Sequence, residues 1–263
     1  MDLNVDSQST DNACYFTQSE AFLEQKFTLI GKHSSSGNLH RGHYLLPFRL
    51  AVPQNLPGTF HHHQTASGLH GRIIYVLEVE VSIPGLILKK NLRSDPVEVI
   101  IRQLAKDPIM PVQIVDELEM NSCFTCRGNN SVELAVSLDK NYYAPGDQIS
   151  LKFALNSPKS NIKYVQISLI RHIRIGSADR CRRDQKVLGR VNTGRISGCI
   201  ERRAMFMIPD SEHFSVLNGK LIECRYELEF KVRADWNVSA AYFRYNLIVN
   251  DSLLPSYDQT IQK

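Results

Sequence analysis

The sequence predicts an all-β protein of sandwich architecture, and three observations support that prediction. Apolar and polar residues alternate with a period of two in most readable segments, which is typical of half-buried strands. No segment sustains the period of about 3.6 residues that an amphipathic helix requires. The 263 residues are 43% hydrophobic and 22% charged, the balance of a globular protein with room for one or two domains.

The clearest predicted strand runs from Ile222 to Arg233. Its six even-numbered residues are apolar or cysteine and its six odd-numbered residues are charged, so one face is expected to pack on a core while the other meets water. The same alternation marks the other predicted strands, whose apolar positions are Leu77, Val79 and Val81; Val132, Leu134, Val136 and Leu138; Ile149, Leu151, Phe153 and Leu155; Val165, Ile167 and Leu169; and Phe243, Tyr245, Leu247 and Val249. Many short strands joined by turns favour a sandwich over a parallel sheet with crossover helices.

A break in this pattern between Lys106 and Asn130 is expected to separate two domains. It carries two prolines, a short acidic patch and a polar run that contains glycine, a composition typical of connections. We therefore expect a disordered N-terminus, a first sandwich, a linker, a second sandwich and a flexible tail. These predicted segments are residues 1–12, 13–120, 121–129, 130–250 and 251–263.

The chain is expected to be cytoplasmic. Its longest apolar runs, such as Ile73 to Leu77, are far shorter than the roughly 20 residues that span a bilayer. The opening segment Met1 to Asp6 is acidic and polar, where a signal peptide would be basic and then apolar. The six cysteines are therefore expected to be thiols in a reducing compartment.

The net charge of +4 is unevenly distributed. Between Lys163 and Arg203 there are eleven basic and three acidic residues, an excess of eight positive charges. Such a field favours an anionic partner, and a solvated basic face explains it equally well. The candidate contacts for anionic lipid or acidic cargo, on a predicted polar loop, are Arg180, Arg182, Arg183 and Lys186.

A Pro-Gly turn lies between two predicted strands in the second half of the chain. Pro145 presets φ, and Gly146 can adopt the positive φ of a type II turn. The order of a strand ending at Asp139, this turn, a strand ending at Asn156 and a long strand from Ile162 resembles the C-terminal domain of arrestins, especially of the α-arrestin branch (arrestin-domain-containing proteins).

The first half carries a separate resemblance to the arrestin N-terminal domain. The segment from Gly42 to Phe60 has the spacing Gly, Pro-Phe, Leu-Pro, Phe, and Gly71 to Leu77 is similar to the strand that follows it in arrestins. The resemblance implies two immunoglobulin-like, arrestin-type β-sandwich domains in tandem. Few strands fit upstream of Tyr44, so the first domain is expected to be incomplete, with a truncated N-terminal part.

A short motif in the predicted tail is a candidate binding site for WW domains. The four residues are Leu254, Pro255, Ser256 and Tyr257. In such motifs a proline in polyproline conformation occupies an aromatic groove and the tyrosine a neighbouring pocket. The α-arrestin resemblance implies that this motif recruits a HECT-type ubiquitin ligase.

Cysteine and histidine patterns are ambiguous. Cys123 and Cys126 have the spacing of half a zinc site, but no second pair accompanies them, so we expect two linker thiols and no metal. The run His61 to His63 is expected to be a polar loop, because consecutive side chains cannot all face one ion. Cys199, near several arginines, is either a reactive thiol or a packed cysteine.

The resemblance implies a non-catalytic adaptor that links membrane receptors or transporters to a HECT-type ubiquitin ligase for endocytosis and sorting, with recruitment to the plasma membrane or endosomes. Two alternatives remain: a retromer-like coat scaffold in endosomal transport, and a redox-responsive binding protein that uses Cys199 or the linker pair. No enzyme motif, cofactor-binding loop or nucleic-acid-binding module is found in the sequence. We therefore expect no enzymatic activity, no cofactor and no nucleic-acid partner.

Overall fold

The computed structural model of the protein describes residues 17–21, 23–29, 42–53, 55–65, 68–83, 90–102, 108–120, 130–157, 161–217, 219–234 and 240–250. The chain divides into two compact units, residues 1–56 and 57–263. In the described part of the first unit no strand or helix forms, and the rings of Phe27 and Phe48 lie 5.7 Å apart. Within the described ranges, no helix has the length and apolarity needed to cross a bilayer.

All the described strands belong to the second unit. In chain order they are β1 (Phe60–Gln64), β2 (Leu69–Ile73), β3 (Tyr75–Leu77), β4 (Glu80–Ile83), β5 (Lys90–Arg93), β6 (Val97–Val99), β7 (Val112–Met120), β8 (Asn130–Leu138), β9 (Tyr142–Tyr143), β10 (Gln148–Asn156), β11 (Ile162–Gly176), β12 (Cys181–Asn192), β13 (Ile200–Met207), β14 (Ile222–Ala234) and β15 (Ala241–Val249). The described residues contain no helix, so the all-β prediction is confirmed.

The larger of two facing sheets has the strand order β12-β11-β14-β15-β9. Strands β11 and β14 form its centre in a long antiparallel pair, and β9 adds to β15 in parallel. The predicted alternation of β14 is confirmed, because its six even-numbered residues from Ile222 to Val232 are at most 8% exposed. This apolar face of the five-stranded sheet forms one side of the core.

The other sheet has the order β13-β10-β8-β7 and packs its alternate apolar residues against the first. Phe153 of β10 and Phe230 of β14 meet across the interior with ring centroids 6.1 Å apart. The two layers with their shared apolar interior make a β-sandwich, as the alternating pattern predicts. Strand β7 is hydrogen-bonded along its whole length to β8, so the predicted linker 121–129 joins two neighbours in one sheet.

The hairpin of β1 and β2 packs on β11 and β14, where Gly71 lies against the side chains of Ile175 and Ile222. Phe60 and Ile73 are buried in the same apolar cluster as the sandwich core. Gly71 allows a close approach to β11, since a Cβ there would lie 2.6 Å from Cδ1 of Ile175, which would have to shift. The hairpin therefore covers one end of the five-stranded sheet.

The predicted Pro-Gly turn is confirmed. The Asp147 N–H donates to the Ala144 carbonyl at 3.0 Å, and Gly146 has φ +86°. The Asp147 carboxylate accepts from the Ala144 N–H at 3.1 Å and from Lys140 Nζ at 3.0 Å. These bonds fix the chain reversal that leads into β10.

Two further strand pairs, β3 with β6 and β4 with β5, form separate two-stranded ribbons. Several of their apolar side chains are exposed, with Val76 54%, Val81 47% and Val97 62% accessible. The single alternating strand predicted through Leu77, Val79 and Val81 is thus divided between β3 and β4. A ribbon without a covered apolar face has little stability of its own.

Candidate functional site

A charged residue lies at an inward-facing position of β11, beneath the hairpin of β1 and β2. Arg171 pairs with Tyr226 of β14 and follows the buried Leu169 on the same face. Its side chain is only 8% exposed. Because a buried cation is costly unless it is paired, the surrounding residues must supply acceptors.

Two carboxylates accept hydrogen bonds from the Arg171 guanidinium. Its Nη1 donates to Glu212 Oε2 at 2.8 Å and its Nη2 to Asp184 Oδ2 at 2.9 Å. Glu212 and Asp184 are themselves 2% and 9% exposed at the side chain. We define the Arg171 cluster as these three residues together with Lys186, His62 and His213.

Glu212 lies in the loop between β13 and β14, where its N–H donates to the Pro209 carbonyl at 3.0 Å. Its Oε1 accepts a hydrogen bond from Lys186 Nζ at 3.0 Å. Burial opposes ionisation of Glu212, but the hydrogen bonds from Lys186 and Arg171 outweigh burial and lower the pKa of its carboxyl. Glu212 is therefore held as an anion.

Strand β12 contributes two members of the cluster through its alternation. Asp184 pairs with Ile173 and Lys186 with Arg171, so both point to the inner face of the sheet. Arg171 is thereby held between an acid from the edge strand and an acid from the loop. The pKa of Arg171 is raised, since the effect of burial is exceeded by that of the paired carboxylates.

Two histidines complete the cluster from the hairpin and the loop. Nδ1 of His62 lies 3.3 Å from Nε2 of His213, and His62 Nε2 is 3.7 Å from Asp184 Oδ2. Burial and the charge of Arg171 lower the pKa of both rings, that of His213 to about 4. Both histidines are consequently neutral near pH 7.

A cavity of about 400 Å³ adjoins the cluster. Its lining comes from β1, β11, β12 and the loop before β14: His62, His63, Gln64, Arg171, Asp184, Gln185, Lys186 and His213. Two inaccessible nitrogens of lining residues, Arg171 Nε and His62 Nε2, have no hydrogen-bond partner among the described residues. The Lys186 side chain, 55% exposed, is a donor that a ligand in the cavity can reach.

The charges of the cluster are balanced. Arg171 and Lys186 balance Asp184 and Glu212, so with neutral histidines the four charges sum to zero. In the part of the chain that the structure describes, no group of three or more His, Cys, Asp or Glu residues is arranged to hold a metal ion. An ammonium group beside a polar cavity can bind an acceptor such as a carboxylate.

The predicted basic contacts are placed on a strand and not on a loop. Arg182, Arg183 and Lys186 belong to β12, and only Arg180 lies in the turn that precedes it. The sequence prediction is wrong here because β12 is an edge strand with most side chains exposed, so it has no apolar alternation to reveal it. Lys186 is bound to Glu212, whereas Arg180, Arg182 and Arg183 are exposed.

The histidine run was also expected as a loop and forms strand β1 instead. The strand turns His62 inward and His61 outward, where His61 Nε2 meets Glu98 Oε1 at 3.1 Å. Strand β1 buries Phe60 and His62 on one face, and this packing makes a strand of the segment that was expected to be a loop.

Of the remaining predicted residues, the structure describes only Cys199, which does not belong to the cluster. Cys199 is an exposed thiol just before β13, and not packed within a strand. The tail motif Leu254 to Tyr257 and the pair Cys123 and Cys126 lie outside the described residues.

Sequence reasoning missed Arg171, Glu212 and the two inward histidines. A signal existed for Arg171, because it interrupts the apolar register of Leu169 and Ile173 in a predicted strand. No comparable signal marks Glu212 or His213, which lie in a loop and reach the site only through the fold.

Comparison with known proteins identifies the family. The family model described as "Arrestin (or S-antigen), N-terminal domain" matches residues 2–105. The model described as "Arrestin (or S-antigen), C-terminal domain" matches residues 128–249. The two matches stand in tandem and together span most of the chain.

No curated protein sequence matches the chain significantly. Among solved structures, the sporulation control protein Spo0M from Bacillus subtilis is similar at 16% identity, with a TM-score of 0.38, over 46% of this chain and 49% of that chain. From the two domain matches, the chain belongs to the arrestin family.

Proposed function

We propose that the protein is a non-catalytic adaptor that links membrane-protein cargo to a HECT-type ubiquitin ligase for endocytosis and sorting. The observation that carries this proposal is the order of modules: arrestin N-terminal and C-terminal domains followed by a Leu-Pro-Ser-Tyr motif. Arrestin-family domains suggest a role in trafficking, and the motif is the reason for proposing that a ligase binds.

The position of the motif suits a ligand for WW domains. Strand β15 ends at Val249, and Leu254 follows after four residues. A motif this close to the sandwich brings a bound ligase next to whatever the sandwich holds. Pro255 and Tyr257 are the two side chains that a WW groove would bury.

The cargo side of the proposal rests on β12. This exposed strand carries Arg182, Arg183 and Arg190, and the turn before it carries Arg180. A basic strip attracts the acidic tails of receptors or transporters, or an anionic membrane surface such as that of the plasma membrane or endosomes.

The two alternatives make different predictions about the tail and the thiols. A retromer-like coat scaffold in endosomal transport would bind its partners without residues 251–263. A redox-responsive binding protein would lose partner binding on alkylation, and the exposed Cys199 gives that candidate its support.

The test is co-purification of HECT-type ligases with the intact chain and with a variant that lacks residues 251–263. The proposal expects ligase recovery with the intact chain and its loss with the deletion. A single Tyr257→Phe substitution is the matched control for tail integrity, because it retains the ring and removes only the hydroxyl. Ligase recovery that is unaffected by the deletion contradicts the proposal and favours the coat scaffold.

A further inference from the structure

The outer face of the β1–β2 hairpin carries a cross-strand pair of histidines. His63 of β1 and His70 of β2 are directly opposite each other in the antiparallel register. Both are exposed, whereas their neighbours His62 and Leu69 are buried on the inner face. Strand alternation therefore turns His63 away from His62 and brings it to His70, a pairing that the sequence alone does not show.

The two imidazole rings lie at a separation that suits a shared metal ion. Their centroids are 5.6 Å apart and their planes are inclined by 70°. Two imidazoles on one tetrahedral Zn²⁺, with Zn–N bonds of about 2.0–2.1 Å, have ring centroids about 5 Å apart. A small side-chain rotation closes this difference, and both rings are free to rotate because they are exposed. Inclined planes meet along a line, where one ion can face an in-plane lone pair of each ring.

The backbone positions the two histidines before any ion binds. The hairpin has five cross-strand pairs, from Phe60 with Ile73 to Gln64 with Leu69. Phe60 and Ile73 anchor the inner face of the hairpin in the apolar core of the sandwich. A site built on two paired strands with an anchored face loses little conformational freedom when an ion binds.

Both rings are accessible to a ligand. Among the described residues, no hydrogen bond or ion pair engages the side chain of His63 or His70. His63 also lines the cavity of about 400 Å³ beside the Arg171 cluster. This cavity gives an ion a path to the pair and leaves room for water in the coordination positions that the protein does not fill.

The neighbouring side chains on the outer face do not compete for this role. His61 lies on the same face of β1 as His63, but its Nε2 is 3.1 Å from Glu98 Oε1, which engages it. Arg72 is opposite His61 and exposed, so its positive charge is screened by solvent. Glu98, 50% exposed at the side chain, supplies a negative charge on this side of the hairpin. The outer face therefore presents no strong barrier to a cation.

We propose that His63 and His70 bind one divalent transition-metal ion across the β1–β2 hairpin, with water in the remaining coordination positions. Cu²⁺, Ni²⁺ and Zn²⁺ are the ions that imidazole ligands suit, and Cu²⁺ binds most tightly of the three. The ion joins the two strands that cover Arg171 and so stabilises the hairpin. This inference goes beyond the proposed adaptor function and does not depend on it.

The test is titration of the full chain with CuSO₄. The chain carries no polyhistidine tag, and its exposed thiols are first alkylated with iodoacetamide so that they neither bind nor reduce the ion. Electron paramagnetic resonance should show one Cu²⁺ ion per chain with nitrogen ligands from two imidazoles, and Zn²⁺ should compete for the same site with lower affinity. A bound Cu²⁺ without imidazole nitrogens would overturn the proposal.

Matched variants separate this pair from the other histidines. His63→Gln and His70→Gln each remove one ligand and should weaken Cu²⁺ binding by at least about tenfold. His61→Gln, on the same face of β1, should leave the affinity unchanged. All three positions are exposed, so without metal the variants should melt like the wild type. Equal Cu²⁺ affinity of His70→Gln and the wild type, or an equal loss in His61→Gln and His70→Gln, would contradict the assignment.

Thermal melting gives a second measure of the same site. Zn²⁺ that binds only the folded hairpin should raise the melting temperature of the wild type and leave that of His70→Gln unchanged. An equal rise in both chains would place the ion elsewhere and contradict the proposal. A chain that lacks residues 251–263 should bind Cu²⁺ as well as the intact chain. Failure of ligase recruitment and failure of metal binding are thus separate results.

Discussion

Removing Arg171 from its cluster should strongly destabilise the protein, and the substitution Arg171→Met tests this directly. The substitution keeps most of the side-chain volume but leaves Asp184 and Glu212 as buried anions, 9% and 2% exposed, without their common partner. Breaking a buried ion pair costs about 3–5 kcal/mol. Because Lys186 stays within 3.0 Å of Glu212, we expect a loss near the lower end, about 3 kcal/mol.

Arg174→Met is the matched control, since it changes the same residue type on the same strand. Arg174 Nε lies 2.9 Å from Glu223 Oε2, but these side chains are 27% and 30% exposed. Arg174→Met should lower the free energy of unfolding by less than about 1 kcal/mol. Urea denaturation followed by far-UV circular dichroism measures both. An Arg171→Met loss no larger than that of Arg174→Met would refute the reasoning.

The remaining predictions concern a turn and a titrating ring. Gly146→Ala should destabilise the chain by about 1–3 kcal/mol, because φ is +86° and the new Cβ would have to displace the Asp210 carboxylate. Gly194→Ala, at φ +73° with open space around it, should cost less in the same denaturation assay, and equal losses would contradict the steric argument. Between pH 7 and 5 the wild type should lose stability, because burial and Arg171 hold the pKa of His213 at about 4 while the unfolded ring titrates near 6.5 and takes up the extra proton. His213→Gln should flatten this dependence by roughly 1–2 kcal/mol, and an unchanged pH slope in urea denaturation would contradict it.

The central strands could be predicted because burial and sequence period coincide in them. In β14 each apolar residue of the alternation lies in the core, and the Pro145-Gly146 turn has the hydrogen bond that its residue types require. These features are local, so neighbouring residues contain the information.

Strand β12 could not be predicted in the same way. Its side chains are exposed or only partly buried, so its position at a sheet edge leaves no period in the sequence. Similarly, β7 lies in a segment interpreted as a break, and its exposed residues include the apolar Val115 beside the acidic Asp116 and Glu117, so no clear alternation marks it. Both strands are defined by backbone pairing with β11 and β8, which composition does not report.

The candidate site was beyond sequence reasoning because it is assembled from distant segments. His62 and His213 are 151 residues apart, and Arg171 and Glu212 are 41 apart. Arg171 alone stood out as a charge in an apolar register, but its partners depend on how the hairpin and the loop cover β11.

The adaptor account depends most on the tail motif, and titration of WW domains from HECT-type ligases against the full chain tests it. The wild-type chain should bind at least one domain, and Tyr257→Ala should weaken that binding by tenfold or more, about 1.4 kcal/mol, because the ring is one of two groups that the groove buries. Folding stability should change by no more than about 0.5 kcal/mol, as expected for a surface site. If no domain distinguishes the wild-type chain from Tyr257→Ala, the ligase-adaptor function is contradicted.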